Sequence, residues 1–225
     1  MSKESPNQLK NNTPIIIGVG QIKEAVLKDL KKASSHADLA GKAAALALEN
    51  AKDSNLGEYI DVIAAVKTFA DSNPMDNSKM GRSDNFPRSI AKRISSNPKR
   101  AIYDLAGGDS PQRLVSEFAE KLASGECEMV LLAGGEAIAN SKASKKQKVR
   151  LNWSEKIGGQ LEDRGISSIK MGTAAEMQHQ VLLPMQFYAL MENARRGDLK
   201  ENLATYSQKM GKTFSQLSKV AAQNT

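Results

Sequence analysis

The chain has 225 residues, 40 % of them hydrophobic and 4 % aromatic, with a formal net charge of +7. That length allows one large domain or a domain with an appendage, and the apolar fraction suffices for a core of Ala, Leu, Ile, Val and Met. No aromatic side chains interleave with the lysines, so stacking platforms for single-stranded nucleic acid are missing, and no stretch approaches the ~18 apolar residues of a membrane span. Much of the charge sits in residues 23–32 and 142–150, both read as loops or exposed faces; binding a phosphorylated small molecule would use it. Neither nucleic acid nor a membrane is therefore expected as a partner. The lone cysteine, Cys127, cannot form an internal disulfide, which fits a reducing compartment. Residues 1–13 are polar, carry no apolar signal region and read as a disordered start, so the expected location is cytoplasmic.

Residues 14–20 (Pro-Ile-Ile-Ile-Gly-Val-Gly) form a short, continuously apolar run closed by glycines, the pattern of a strand buried on both faces. Residues 37–51 read as a helix, with Asp38 in its first turn and Leu39, Ala43, Leu46 and Ala47 on one stripe. Residues 60–69 are β-branched and apolar, a second strand. A polar loop over 70–85 leads to a short helix over 86–94, with Pro87 in its first turn. Asn97-Pro98 breaks the chain before a third strand at 100–105. Gly107-Gly108-Asp109-Ser110-Pro111 makes a tight turn into a helix over 112–124. Its buried side carries Leu114, Val115, Phe118 and Leu122, and Gly125 stops it. A fourth strand at 129–133 ends in Gly134-Gly135-Glu136.

This alternation of strand and helix predicts an α/β domain over residues 14–140, a mainly parallel sheet with packed helices. After residue 140 the composition changes, and residues 141–225 read as a mostly helical extension. There Leu203, Tyr206, Met210, Phe214, Leu217 and Val220 recur at steps of three and four along one face.

The turn at 107–111 is the most informative site. A helix starting near Pro111 leaves backbone N–H groups without partners, a setting that stabilises an oxyanion, a thiolate or a phosphate. Asp109 or Ser110 is the natural N-cap. Glycine turns before capped helices are also common without any function.

The order of elements and this turn resemble the thiolase superfamily. There the third strand leads into a helix whose N-terminus carries the reactive cysteine in a Cys-x-Ser-Gly pattern. The helix ends in an Ile-Ala-x-Gly-Asp segment, then a strand and a Gly-Gly-x-Glu turn. Here the helix ends Leu122-Ala123-Ser124-Gly125-Glu126, and Gly134-Gly135-Glu136 closes the strand. Counting back places Gly108 where the cysteine would stand and Ser110 on the motif serine. Gly107-Gly108-Asp109-Ser110-Pro111-Gln112 is also similar to the Gly-Gly-Asn-Ser-Pro-Gln of a thiolase-like branch of acetyl-CoA acetyltransferase homologues. Residues 183–195 (Leu-Pro-Met-Gln-Phe-Tyr-Ala-Leu-Met-Glu-Asn-Ala-Arg) resemble a later segment of that branch, and Phe214-Ser215 with residues 220–224 resemble its following helix.

The resemblance implies the N-terminal half of a thiolase fold, with residues 141–225 as its loop-domain extension and the C-terminal half absent. It implies lipid metabolism and acyl-CoA as substrate or ligand, with no covalently bound cofactor and no metal. Gly108 has no side chain, so no catalytic residue is assigned and the covalent acyl-enzyme route is closed at this position. The Gly-His-Pro histidine, the Asn-Glu-x-Phe-type loop and the second acid/base cysteine of complete thiolases are missing from the sequence. Lys142, Lys145, Lys146 and Lys148 are the implied contacts for coenzyme A phosphates, and otherwise a solvated linker. Met171, in a Met-Gly-x-x-Ala-Glu stretch, is implied to line the acyl pocket. Family members pair through the edge strand beside the nucleophile turn, here residues 100–105. A homodimer, or a heteromer with a C-terminal thiolase half, is expected.

Other chemistry finds less support. Cys127 has no adjacent basic residue in sequence to depress its pKa and reads as a buried structural thiol. His36 and His179 are far apart, and no clustering of ligands suggests a metal site. Gly18-x-Gly20 lacks the third glycine of a dinucleotide fingerprint. Two readings remain: an acyltransferase-family protein, inactive without its other half, and a non-catalytic module that binds coenzyme A or pairs with such a half.

Overall fold

The structure is a computed structural model that describes residues 11–72, 80–165, 173–181 and 184–223. The chain divides into two compact units, Met1–Ser167 and Ser168–Thr225.

The first unit is a parallel sheet with helices on both faces. Helix α1, His36–Asn50, starts at a capping box: the Asp38 amide donates to Ser35 Oγ at 3.1 Å and the Ser35 amide to Asp38 Oδ2 at 2.8 Å. Strand β1 (Val62–Val66) leads through the single turn α2 (Phe69–Ser72) to α3 (Phe86–Arg93), which has proline in its first turn. Then come β2 (Arg100–Asp104), α4 (Ser110–Ser124), β3 (Val130–Ala133), α5 (Ile138–Gln147) and the two-residue β4 (Glu162–Asp163). The sheet order is β3-β1-β2-β4, every pairing parallel, with Val62 opposite both Arg100 and Val130.

Alternation along the strands divides the core. Ala65 and Tyr103 face α1 and α3, where Ala37, Ala40, Ala44, Phe86 and Ile90 are buried. Val62, Ala64 and Ile102 face α4, where Leu114, Phe118 and Cys127 are buried. The alanine stripe of α1 lets that helix lie close to its neighbours. Gly125, at φ 78°, ends α4 in the left-handed conformation that a side chain disfavours. Val115, expected on the buried side of α4, is 41 % exposed.

Three expectations are corrected. Residues 14–20 form no strand; Ile15, Ile16 and Val19 are exposed. Gly18 and Gly20 instead stand against the backbone of α1 at Ala47 and Ala43, where any Cβ would collide with a carbonyl oxygen, and the Val19 amide donates to Asn50 Oδ1 at 3.0 Å. The glycines serve a close approach of chain to helix, and β1 pairs directly with β3.

Residues 142–150 are not a linker loop either, because most of them belong to α5. The inward stripe of α5 is small and polar, with Asn140 and Ser144 buried, so apolar periodicity gave no sign of a helix. Asn140 Nδ2 donates to Ser34 O at 3.0 Å and to Glu24 Oε1 at 3.1 Å, and Ser144 Oγ to Val149 O at 2.6 Å.

Finally, β2 is not an edge strand: β4 covers its outer side at Ile102 and Tyr103.

The second unit holds α6 (Ala174–Gln178), α7 (Pro184–Asp198) and α8 (Leu203–Ala222). Asn202 caps α8 through the Thr205 amide at 2.9 Å, and Tyr206 donates its hydroxyl proton to Glu192 of α7. Of the periodic apolar face, Tyr206 is buried, whereas Phe214, Leu217 and Val220 are exposed. No helix among the described residues is long and apolar enough to cross a membrane.

Candidate functional site

The turn at 107–109 leaves the carboxyl end of β2, and α4 begins at Ser110. The Ser110 amide reaches back to Gly107 O at 3.3 Å, and the first regular helical bond runs from the Arg113 amide to Asp109 O at 2.9 Å. Asp109 occupies the N-cap position, yet its side chain makes no capping bond. Pro111 has no N–H. Among the described residues, the amides of Gly108, Asp109 and Gln112 have no acceptor. They are open donors at the positive end of a helix dipole.

Gly108 is exposed, its φ is not in the left-handed region, and a Cβ built on it would meet nothing within 4 Å. Ser110 is buried, and its Oγ lies 3.4 Å from the Arg113 guanidinium.

Beneath the turn lies an ion-pair network that inspection of motifs missed. Asp104, the last residue of β2 and fully buried, accepts from Arg113 at 2.8 Å and from Arg164 at 3.2 Å. Arg164 also holds Glu117 of α4 at 2.6 Å. The Arg164 hydrogen bond outweighs desolvation and keeps the Glu117 carboxyl below its usual range. That bond also leads the causes that raise the Arg164 pKa. The network ties strand, helix and the chain after β4 to one carboxylate. An arginine near a helix N-terminus opposes the dipole, and that was the signal available in the sequence.

The parallel sheet brings a second turn, 134–136, to the same carboxyl edge. β2 and β3 flank β1, which separates the two turns by about 10 Å at the usual strand spacing. Gly135 presses on the start of α1, where an added Cβ would stand 2.8 Å from His36 O and 3.0 Å from Ala40 Cβ. Glu136 Oε1 accepts from the Phe69 amide at 2.7 Å. A small cleft nearby is lined by His36, Thr68, Asp71, Arg82, Phe86 and Trp153. Tyr103 donates to Asp71 of that lining at 2.5 Å; burial, then the Asp71 charge, pushes the phenol far up.

Lys142, Lys145 and Lys146 are exposed on α5, and Lys148 is exposed just beyond it with a φ of 54°. Met171 lies outside the described residues. Cys127 is buried in the core beside Leu114 and Phe118, and burial raises its thiol pKa. His36 and His179 fall in different units, and no cluster of His, Cys, Asp and Glu able to hold a metal occurs among the described residues.

The chain is similar to the crystal structure of a monomeric SCP2-thiolase-like protein, type 1, from Mycobacterium smegmatis. The TM-score is 0.66 at 29 % sequence identity, over 96 % of this chain and 36 % of that one. The fold is thiolase-like. The chain spans just over a third of the length of that relative. No family model and no curated protein matches the sequence.

Proposed function

We propose that this chain corresponds to the N-terminal half of a thiolase-type acyltransferase and binds acyl-CoA thioesters at the 107–110 turn. The observation that carries this reading is the open turn itself: among the described residues the amides of Gly108, Asp109 and Gln112 meet no acceptor, and Gly108 places no side chain before them. Donors so placed bind a phosphate oxygen or polarise a thioester carbonyl. The likeness to an SCP2-thiolase-like structure supports a role with acyl-CoA. The exposed lysines of α5 supply charge for the phosphates of coenzyme A. Glycine at the nucleophile position closes covalent acyl transfer there. Acyl transfer at this turn would draw on the acid/base groups of a C-terminal thiolase half, which a heteromer with such a half would supply and a homodimer would not.

Calorimetric titration with acetyl-CoA tests the binding. The wild-type chain binds, and Gly108→Val weakens binding by ten-fold or more at unchanged melting temperature, because a side chain at this φ strains no backbone. Equal affinity in both proteins places the ligand elsewhere. A thioester-cleavage assay with and without a C-terminal thiolase half separates enzyme from binding module.

A further inference from the structure

We propose that His36 is a proton-operated latch on the N-terminus of α5. Two groups meet its Nδ1 and make opposite demands. The Ala137 amide donates to Nδ1 at 3.0 Å, which requires a lone pair there. The Glu136 carboxylate lies 3.4 Å from the same nitrogen and can be satisfied only by a proton on it. One nitrogen cannot serve both. In the neutral ring the proton therefore sits on Nε2, and Nδ1 caps the Ala137 amide.

A second proton, taken from solvent, forms an Nδ1–H bond, breaks the Ala137 N–H···Nδ1 bond and creates an Nδ1–H···Oε2 bond to Glu136. Glu136 is held in place for this by its other oxygen, which accepts from the Phe69 amide at 2.7 Å. Ala137 is the N-cap of α5, has no side-chain cap and is 3 % exposed, so its released amide has no solvent to turn to. Low pH thus ties α1 to α2 through Glu136 and loosens the start of the helix that carries Lys142, Lys145 and Lys146. Imidazole is the side chain suited to such an exchange near neutrality.

The surroundings are defined. The ring stands edge-on to Trp153, with centroids 5.3 Å apart at 84°. Asp71 of α2 and Arg82, in the segment before α3, line the same cleft. On α1 itself, Asp38 is engaged by Ser35 and Arg93.

Nuclear magnetic resonance on the full chain between about pH 5 and 8 tests the exchange. At high pH the His36 ring carries its proton on Nε2. As the ring titrates, the Ala137 amide shift moves with the same midpoint and its exchange protection falls about ten-fold, the penalty for stranding a buried donor. The Phe69 amide stays protected. In His36→Asn the Ala137 amide shift becomes independent of pH over this range. A neutral ring protonated on Nδ1, or an Ala137 amide indifferent to the ring's midpoint, overturns the latch. Hydrogen exchange of the peptide spanning 137–147 in the wild-type chain gives a reading even if the variant does not fold. Protection unchanged between the two pH limits, after correction for intrinsic rates, overturns it as well.

Discussion

The Arg113 guanidinium, in the first turn of α4, holds the fully buried Asp104 carboxylate at 2.8 Å, which fixes the helix start to the end of β2. Asp104→Asn leaves two arginines facing a neutral amide and is expected to cost about 3 kcal/mol in urea unfolding, the scale of a broken buried pair. Arg113→Gln is expected to cost about 1 kcal/mol, since Arg164 still faces Asp104 at 3.2 Å and Arg113 is partly exposed. The reverse ranking would show that Arg164 alone does not satisfy Asp104.

Gly108→Cys places a thiol among open amides, and the space for its Cβ is empty. A helix N-terminus depresses a thiol pKa, so at pH 7 this cysteine should alkylate about ten-fold faster than an unperturbed one. Cys127, buried and with its pKa raised, should react only on unfolding. Acylation of the new thiol without turnover is expected for the chain alone. Cys127→Ser should change no acyl transfer. A rate at Gly108→Cys equal to that of free cysteine would remove the turn from consideration as an active-site element.

Acid should weaken the tie between the N-terminal segment and α5. Burial raises the Glu24 pKa, but hydrogen bonds from Ser34, Lys42 and Asn140 outweigh it and lower the carboxyl from 4.5 to about 2. The folded value lies below the unfolded one, so the stabilisation is present above about pH 4.5 and is lost as pH falls towards about 2. Glu24→Gln should therefore lower stability at neutral pH by about 1.5–3 kcal/mol, and the gap from wild type should close at the acid end. A gap that does not narrow below pH 4 would contradict this assignment.

Two neighbouring glycines should behave differently. Gly135→Ala meets His36 O at 2.8 Å and Ala40 Cβ at 3.0 Å, and is expected to cost about 1–3 kcal/mol as overpacking. Gly134→Ala meets nothing within 4 Å and should leave the melting temperature unchanged or slightly raised. Equal melting temperatures would mean that α1 and the turn do not press together.

The β2–turn–α4–β3 passage was legible because each element carries its own signal: an apolar run, a glycine pair, a 3.6-residue stripe of Leu114 and Phe118, and a stop at Gly125. Helix α5 was not, because Asn140 and Ser144 bury polar atoms that pair with Ser34, Glu24 and Val149, and apolar periodicity is blind to such a face. Residues 14–20 misled for the opposite reason. Their apolar run and glycines suit both a buried strand and a chain pressed on a helix, and only the position of α1 decides between them. The pairing of His36 with Glu136 joins residues a hundred positions apart, and no local pattern marks it.

Because β1 pairs directly with β3, the sheet ends, among the described residues, at Val130–Ala133, which are hydrogen-bonded to a strand on one side only. Four apolar residues with a free ladder edge are a template for another extended segment, and Glu128 and Glu136 flank them with like charge. Two carboxylates beside such an edge place like charges together when a second copy approaches it. Replacing both with glutamine would bring edge-to-edge association within reach at lower protein concentration.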